Sequence, residues 1–442
     1  MDHKQLYAST LNSPQIHGEE NWVAKPWDTL WVTAIMTLTV AYQAILCFMY
    51  TVGAPTSAAL VGVSEALVML ACLPILARRL LPGVIVLALL AGAWFCLSTL
   101  LNGQINVKAV RDLAIPLCFF WLGCNLGRPE VAERALIAII AVVMAVGFFE
   151  LLLLDTFTQY FDIFGYYVST GSLQPITEYV RESRLQLNGL RPEGIGRTLL
   201  PGLLGPHRVS SVFLEPVSLG NFATLIAAWG LSRDWLEWHK GGLFLVSAIV
   251  LMVLSDSRFA LMLVPLMITM RLMLRGSALN LAILAPFIAM GLLVFVGLRV
   301  TDMGGDNLMG RLAISGWALL EFDVLMLLGL GSQPNFGDMG YAYLLSRFGL
   351  PLCLLLWFSF WLLPMPDERG QRFRAFVCIY IALILAVSGT SLFAFKSSAL
   401  LWFLVGCLLR SAAILSDKPK LQAAVNQSWQ TDNLAGAKPH AH

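Results

Sequence analysis

Residues 281–298 read LAILAPFIAMGLLVFVGL, and residues 81–101 read LPGVIVLALLAGAWFCLSTLL. Neither stretch holds an Asp, Glu, Lys or Arg. A run of about 20 apolar residues crosses the hydrocarbon of a bilayer as one helix, with every backbone hydrogen bond made internally. An outer-membrane barrel would instead show short strands of alternating polarity. Blocks of this kind recur along the chain, so the sequence predicts an all-α polytopic membrane bundle.

Composition agrees. Of 442 residues, 58% are apolar and 13% charged, with a mean hydropathy of +0.74. A water-soluble domain carries about 25% charged residues, roughly twice the supply here. The formal charge of +2 points to no nucleic-acid partner. All eight cysteines fall inside apolar blocks, which makes them small hydrophobes packing between helices rather than a disulfide or zinc framework. No metal ligand set is read from the sequence, and no cofactor.

Twelve spans are expected, at about 29–51, 57–77, 80–101, 109–126, 132–154, 216–232, 242–254, 258–274, 278–298, 341–364, 374–390 and 397–412. Residues 1–28 and 413–442 form polar tails, with no cleavable signal pattern at the start. Trp27 and Trp31 mark the interface where the first span enters. Arg78 and Arg79, Arg128 and Arg134, Arg233 and Lys240, Arg271 and Arg275, then Arg369, Arg372 and Arg374, then Arg410, Lys418 and Lys420 fall on alternate turns. The positive-inside rule then sets both termini in the cytoplasm. Two long loops, 155–215 and 299–340, emerge on the other side.

Chemistry is expected in those loops, because binding residues concentrate on connections held by a rigid scaffold. The first loop carries five Arg against six Asp and Glu, and the second two against five. Any anion site must therefore be local, built from a few converging guanidiniums. Arg208 and Glu215 stand seven residues apart, just before a helix opening at Pro216. A guanidinium grips phosphate oxygens bidentately and stays charged; a carboxylate near the apolar boundary can take a proton from a hydroxyl. Ser210 and Ser211 offer hydroxyls, and His207 reads equally as a loop hydrogen-bonder or a catalyst. The alternative for Arg208 and Glu215 is an ion pair pinning loop to helix. Asp256 and Arg258 lie between apolar blocks, where an ionisable residue is expensive; a local ion pair is the competing reading. In the second loop, Arg299 and Arg311 are further phosphate-ligand candidates, while Asp338 and Tyr341 suit a sugar. The glycines around residue 329 read as backbone devices.

The order Arg208-x-Ser-Ser-x-Phe-x-Glu-Pro, Ser255-Asp256-Ser257-Arg258, Gly310-Arg311…Trp317…Gly329-x-Gly331, Asp338-x-Gly-Tyr341…Phe348-Gly349-Leu350 resembles the O-antigen ligase and polymerase superfamily. Within it, the chain is most similar to the Wzy-type exopolysaccharide polymerases. The likeness covers about residues 30–412. Arg191 to Gly202 and Arg299 to Gly310 match the Arg-x10-Gly spacing described in the third and fifth outer loops of that family.

The resemblance implies a GT-C-like membrane fold in the bacterial inner membrane, working without metal or nucleotide. Its donor would be an undecaprenyl-pyrophosphate-linked glycan, and its surroundings membrane lipid. A chain-length regulator and a flippase become candidate partners. Arg208, Arg258 and Arg311 would stabilise the leaving pyrophosphate, Glu215 would position or deprotonate the acceptor, and Arg191, Ser211, Arg299, Asp338 and Tyr341 would bind substrate. The anomeric configuration would invert. Family ligases typically carry a His where this chain has the Asp338–Tyr341 segment; none occurs there, which favours polymerase over ligase. A flippase or transporter is the rival from another class, and it would concentrate its ions at interrupted helices in mid-membrane.

Overall fold

In the computed structural model the chain is described over residues 26–103, 106–126, 128–173, 184–185, 189, 197–274, 276–300, 308–330, 336–337, 339–365 and 367–409. Arg191 and Asp338 therefore lie outside the described residues, as do most of the two polar tails.

Five long helices come first: α1 (Pro26–Thr51), α2 (Ala58–Leu76), α3 (Pro82–Asn102), α4 (Val107–Leu126) and α5 (Pro129–Leu152). Short helices α6 (Leu154–Tyr160) and α7 (Ile163–Ser169) follow, then α8 (Pro216–Ser232), α9 (Trp238–Ser255), α10 (Arg258–Met273) and α11 (Ala285–Arg299). The chain closes with α12 (Leu308–Leu320), α13 (Gly340–Trp361), α14 (Glu368–Val387) and α15 (Phe395–Leu409). No strand occurs among the described residues. Helix starts follow local chemistry: Pro82, Pro129 and Pro216 open α3, α5 and α8, where a missing N–H costs nothing. Asp367 caps α14 by accepting from Gly370 N at 2.8 Å.

Among the described residues, eight helices are long and apolar enough to cross a membrane. The expected spans that lie outside those eight coincide with α4, α8, α10 and α15. Burial separates centre from rim. In α14, 72% of the apolar window is buried within the protein, against 11% in α3, which leaves Leu89 and Leu100 of α3 exposed. An outward apolar surface on that scale suits lipid, not water. The chain is thus a polytopic membrane protein of helical bundle type.

Helices meet closely where side chains are absent. A Cβ on Gly123 of α4 would stand 2.3 Å from Phe403 O of α15, and one on Gly406 would stand 2.3 Å from Phe120 O. Small residues at crossings let backbones touch and maximise packing where no hydrophobic driving force exists.

The second long connection departs from its expected form. In place of an open loop it carries α12, whose apolar residues recur at helical spacing. This helix lies against α11 through Gly297 and Gly316. Trp317 Nε1 caps α11 by donating to Gly297 O (2.9 Å) and Val300 O (3.0 Å).

Helix ends gather on two faces. On one, the arginine face, Arg233 reaches Glu133 and Glu237, Arg369 reaches Glu133 (3.1 Å), and Arg372 reaches Asp234 and Glu368 (3.0 Å). Arg78 pairs with Asp28 at 2.9 Å on that face. The other, the loop face, holds the long connections and the turns 52–57, 255–257 and 388–394.

Candidate functional site

Segment 197–215 crosses the loop face and is held by two fully buried carboxylates. Glu150, in the last turn of α5, accepts from Ser210 N (3.0 Å), Ser210 Oγ (3.0 Å) and Ser211 N (2.5 Å). His207 Nε2 stands 3.1 Å from the same carboxylate, an ion-pair distance once the imidazole carries a proton. Asp256, in the turn between α9 and α10, accepts from Thr198 N (3.0 Å) and Leu199 N (2.9 Å). A carboxylate out of water needs several donors to offset its desolvation, and both receive them.

Two arginines complete the attachment. Arg197 donates to His207 O (2.5 Å), Val253 O and Leu254 O (3.3 Å). Arg208 donates through Nε to Ser255 O (3.1 Å) and through Nη2 to Asp256 O (3.4 Å). These are the open carbonyls at the end of α9, where the helix dipole favours a cation. Arg208 is thus a cap for α9 and a clamp on the turn that presents Arg258. Arg258 itself opens α10, is exposed, and has no ion pair among the described residues.

Backbone strain collects in the same place. Among the described residues, five that are not glycine have positive φ: Arg184, Leu200, Ser211, Leu214 and Asp256. All five lie on the loop face. Each such conformation costs on the order of 1–2 kcal/mol, so the surrounding bonds must hold it. Ser211 (φ 53°) is fixed by Glu150 and by its own Oγ donating to Val143 O at 2.7 Å. Leu214 (φ 58°) is buried.

The strained segment ends at Glu215, which precedes the first turn of α8, is half-buried, and accepts from Ser218 Oγ at 2.8 Å. Two groups that sequence reading passed over face it. Lys396, at the start of α15 and 4% exposed, donates to Phe213 O (2.6 Å) and Gln43 Oε1 (2.6 Å), with Glu215 and Glu65 as acidic neighbours. Tyr167 of α7 is buried, and its hydroxyl has no hydrogen-bond partner among the described residues. Burial, and after it the Glu215 charge, push this phenol well above its ordinary value, so it remains a proton donor. Glu215 thus has Lys396 and Tyr167 as electrostatic neighbours at the end of the clamped segment.

Other candidates fall elsewhere. Arg311 is exposed on α12, which packs against α11, α13 and α14. Arg299 ends α11, exposed, with its guanidinium over the Phe295 ring at 5.4 Å. Tyr341 is 3% exposed and donates to Ala382 O at 3.0 Å, a contact between α13 and α14. Its burial among helices gives it a packing role. Gly329 and Gly349 serve one another: a Cβ on Gly329 would lie 2.9 Å from Gly349 N, and Gly349 breaks α13 at φ 70°. Arg208, Arg258, Ser211 and Glu215 are thus brought to one segment and its turn, while Arg311, Arg299 and Tyr341 belong to the α11–α14 side.

Glu150 and Lys396 had a legible signal: each is a lone charge inside or at the edge of an apolar block, expensive unless a partner is supplied. Among the described residues no group of His, Cys, Asp and Glu is arranged to hold a metal ion. Comparison with known protein families, with curated proteins and with solved structures gives no match to this chain.

Proposed function

We propose that this chain is a polysaccharide polymerase that joins undecaprenyl-pyrophosphate-linked oligosaccharide repeat units at the periplasmic face of a bacterial inner membrane. In this reading twelve helices cross the bilayer, the arginine face and both termini are cytoplasmic, and the loop face is periplasmic. The observation that supports it most is the segment 207–215. Two of the residues picked from sequence for lipid-diphosphate chemistry, Arg208 and Arg258, lie on or beside this strained and clamped backbone, whereas Arg311 and Arg299 lie on α12 and α11.

The reaction forms one glycosidic C–O bond and breaks another. An acceptor sugar hydroxyl attacks the anomeric carbon of the donor, whose bond to the diphosphate oxygen breaks. Glu215 takes the hydroxyl proton. The electron pair leaves with the lipid diphosphate, whose growing charge meets Arg258, with Arg208 holding that arginine's turn. Preorganised cations act where charge develops and need no rearrangement at the moment of reaction. A diphosphate is already a good leaving group, so positioning supplies much of the remaining acceleration.

A membrane preparation given the lipid-linked repeat unit tests this. Wild type should elongate chains, and Glu215→Gln, which keeps the Ser218 contact but cannot accept a proton, should slow elongation by about 10²-fold or more. Arg208→Lys should rescue Arg208→Ala poorly, because an ammonium lacks the fork that spans two carbonyls. Normal chain lengths from both Glu215→Gln and Arg208→Ala would remove the reading.

A further inference from the structure

The start of α15 places a charge in the interior of the loop face. Phe395 seats that start by setting its ring edge-on to Tyr42 of α1 (5.5 Å between centroids) and to Phe119 of α4 (5.6 Å). The next residue, Lys396, is buried. Its Nζ donates to Phe213 O (2.6 Å) and to Gln43 Oε1 of α1 (2.6 Å), and lies 5.8 Å from the Phe213 ring centroid. Among the described residues the ammonium forms no ion pair. Both of its acceptors are neutral, and an amide would serve them with less desolvation than a charge. A lysine buried in this way needs a further reason.

Two carboxylates stand within the field of that charge, Glu215 and Glu65. Glu65 of α2 already has partners: Tyr42 donates to it at 2.7 Å, and Arg111 stands 3.4 Å away. Glu215 does not share them. Among the described residues it forms no ion pair, and its carboxylate accepts from Ser218 Oγ at 2.8 Å. Lys396 is also tied to Glu215 through the backbone. Phe213 O, which the ammonium holds, is followed by Leu214 at φ 58° and then by Glu215 itself. The Phe213 ring packs on Phe222 of α8 at 5.1 Å, so the turn is pinned from both sides. One side chain thus fixes the strained turn that presents the carboxylate, and supplies that carboxylate with a cation held beyond ion-pair distance.

We infer that Lys396 is a positioning residue for Glu215: its ammonium holds the turn that carries the carboxylate and keeps the carboxylate ionised for proton removal. The role of Glu215 as base rests on the proposed polymerase; the link between lysine and carboxylate does not. A general base must be ionised before the acceptor hydroxyl arrives, and an opposite charge nearby favours that form. At ion-pair distance the same charge would also occupy the oxygen lone pairs that receive the proton. Standing further off, Lys396 favours the carboxylate and leaves it open. Glu65 and Arg111, meanwhile, answer one another.

Full-length protein in detergent is treated with dicyclohexylcarbodiimide, which adds to protonated carboxyls in apolar surroundings, and Glu215 is followed by peptide mapping. Lys396→Gln keeps a donor for Phe213 O but removes the charge; it should raise labelling of Glu215 by about threefold or more. Gln43→Glu leaves Lys396 in place and gives it a carboxylate partner, so it should raise labelling as well, in a protein whose buried ammonium is now paired. Lys396→Arg keeps the charge and should label as wild type. In the elongation assay Lys396→Gln should lower kcat by about tenfold, with KM for the lipid-linked unit within about twofold. Lys396→Arg should recover most of that loss. Placed on Glu215→Gln, Lys396→Gln should cost less than about twofold more, since its effect passes through the carboxylate. Unchanged Glu215 labelling in both Lys396→Gln and Gln43→Glu, or an equal loss of elongation with and without the Glu215 carboxylate, would overturn the inference. The labelling needs no glycan, so it decides the role of Lys396 even where normal elongation by Glu215→Gln removes the polymerase reading.

Discussion

The two faces of the bundle use the same residue types to opposite ends. On the arginine face several acids are matched to bases: Glu133 takes Arg233 and Arg369, while Asp234 and Glu368 take Arg372. Spare guanidinium donors go to backbone, as with Arg271 to Arg233 O and Arg372 to Ser232 O. On the loop face Glu150 and Asp256 are instead satisfied by amides and hydroxyls. Arg258, on the turn that Asp256 begins, has no ion pair among the described residues. One face is closed by ion pairs, while on the other backbone amides and hydroxyls satisfy Glu150 and Asp256; in the proposed function the second face receives the anionic substrate.

The comparison can be broken by mutation. Arg233→Ala should cost the most stability, about 3 kcal/mol, because it removes a buried guanidinium that holds Glu133 and Glu237 and leaves Glu133 with Arg369 alone. Thermal unfolding in detergent reads this, and elongation per folded molecule should stay at the wild-type level. A loss of specific activity there would erase the distinction between the faces. Glu150→Gln should follow at about 2–3 kcal/mol, since a carboxamide cannot accept from Ser210 and Ser211 as a carboxylate does. Here stability and elongation should fall together, because strained Ser211 loses its restraint. At the small end, Leu200→Asn exchanges a half-exposed leucine at φ 47° for a residue that tolerates the left-handed region. It should raise stability by about 1 kcal/mol or less. A decrease would show that Leu200 is held by packing rather than strained.

Much of this architecture was legible in the residues. Apolar block length marked eight long apolar helices among the described residues, and the break at Ser255–Arg258 fell on the turn between α9 and α10. The motif Arg208…Glu215 led directly to the clamped segment. Other features were hidden because they depend on pairs distant in sequence. Glu150 meets Ser210 across 60 residues, and Lys396 meets Phe213 across 183. Nothing local to either residue announces its partner, only that one must exist. Tyr341 misled for a related reason: a phenol beside a polar loop suits a sugar, yet helix packing turns its hydroxyl onto Ala382 O. The α12 segment was expected as loop, and Gly316 seats it against Gly297 of α11, a contact no local pattern announces.

Arg258 carries the account's central claim, since it is exposed, has no ion pair among the described residues, and stands on a turn that Arg208 and Asp256 hold in place. The direct measurement is chain elongation by Arg258→Ala in membranes supplied with the lipid-linked repeat unit, alongside its thermal unfolding. Elongation should fall by about 10²–10³-fold, with stability changed by no more than about 0.5 kcal/mol. Wild-type polymer lengths from a normally inserted Arg258→Ala would contradict it.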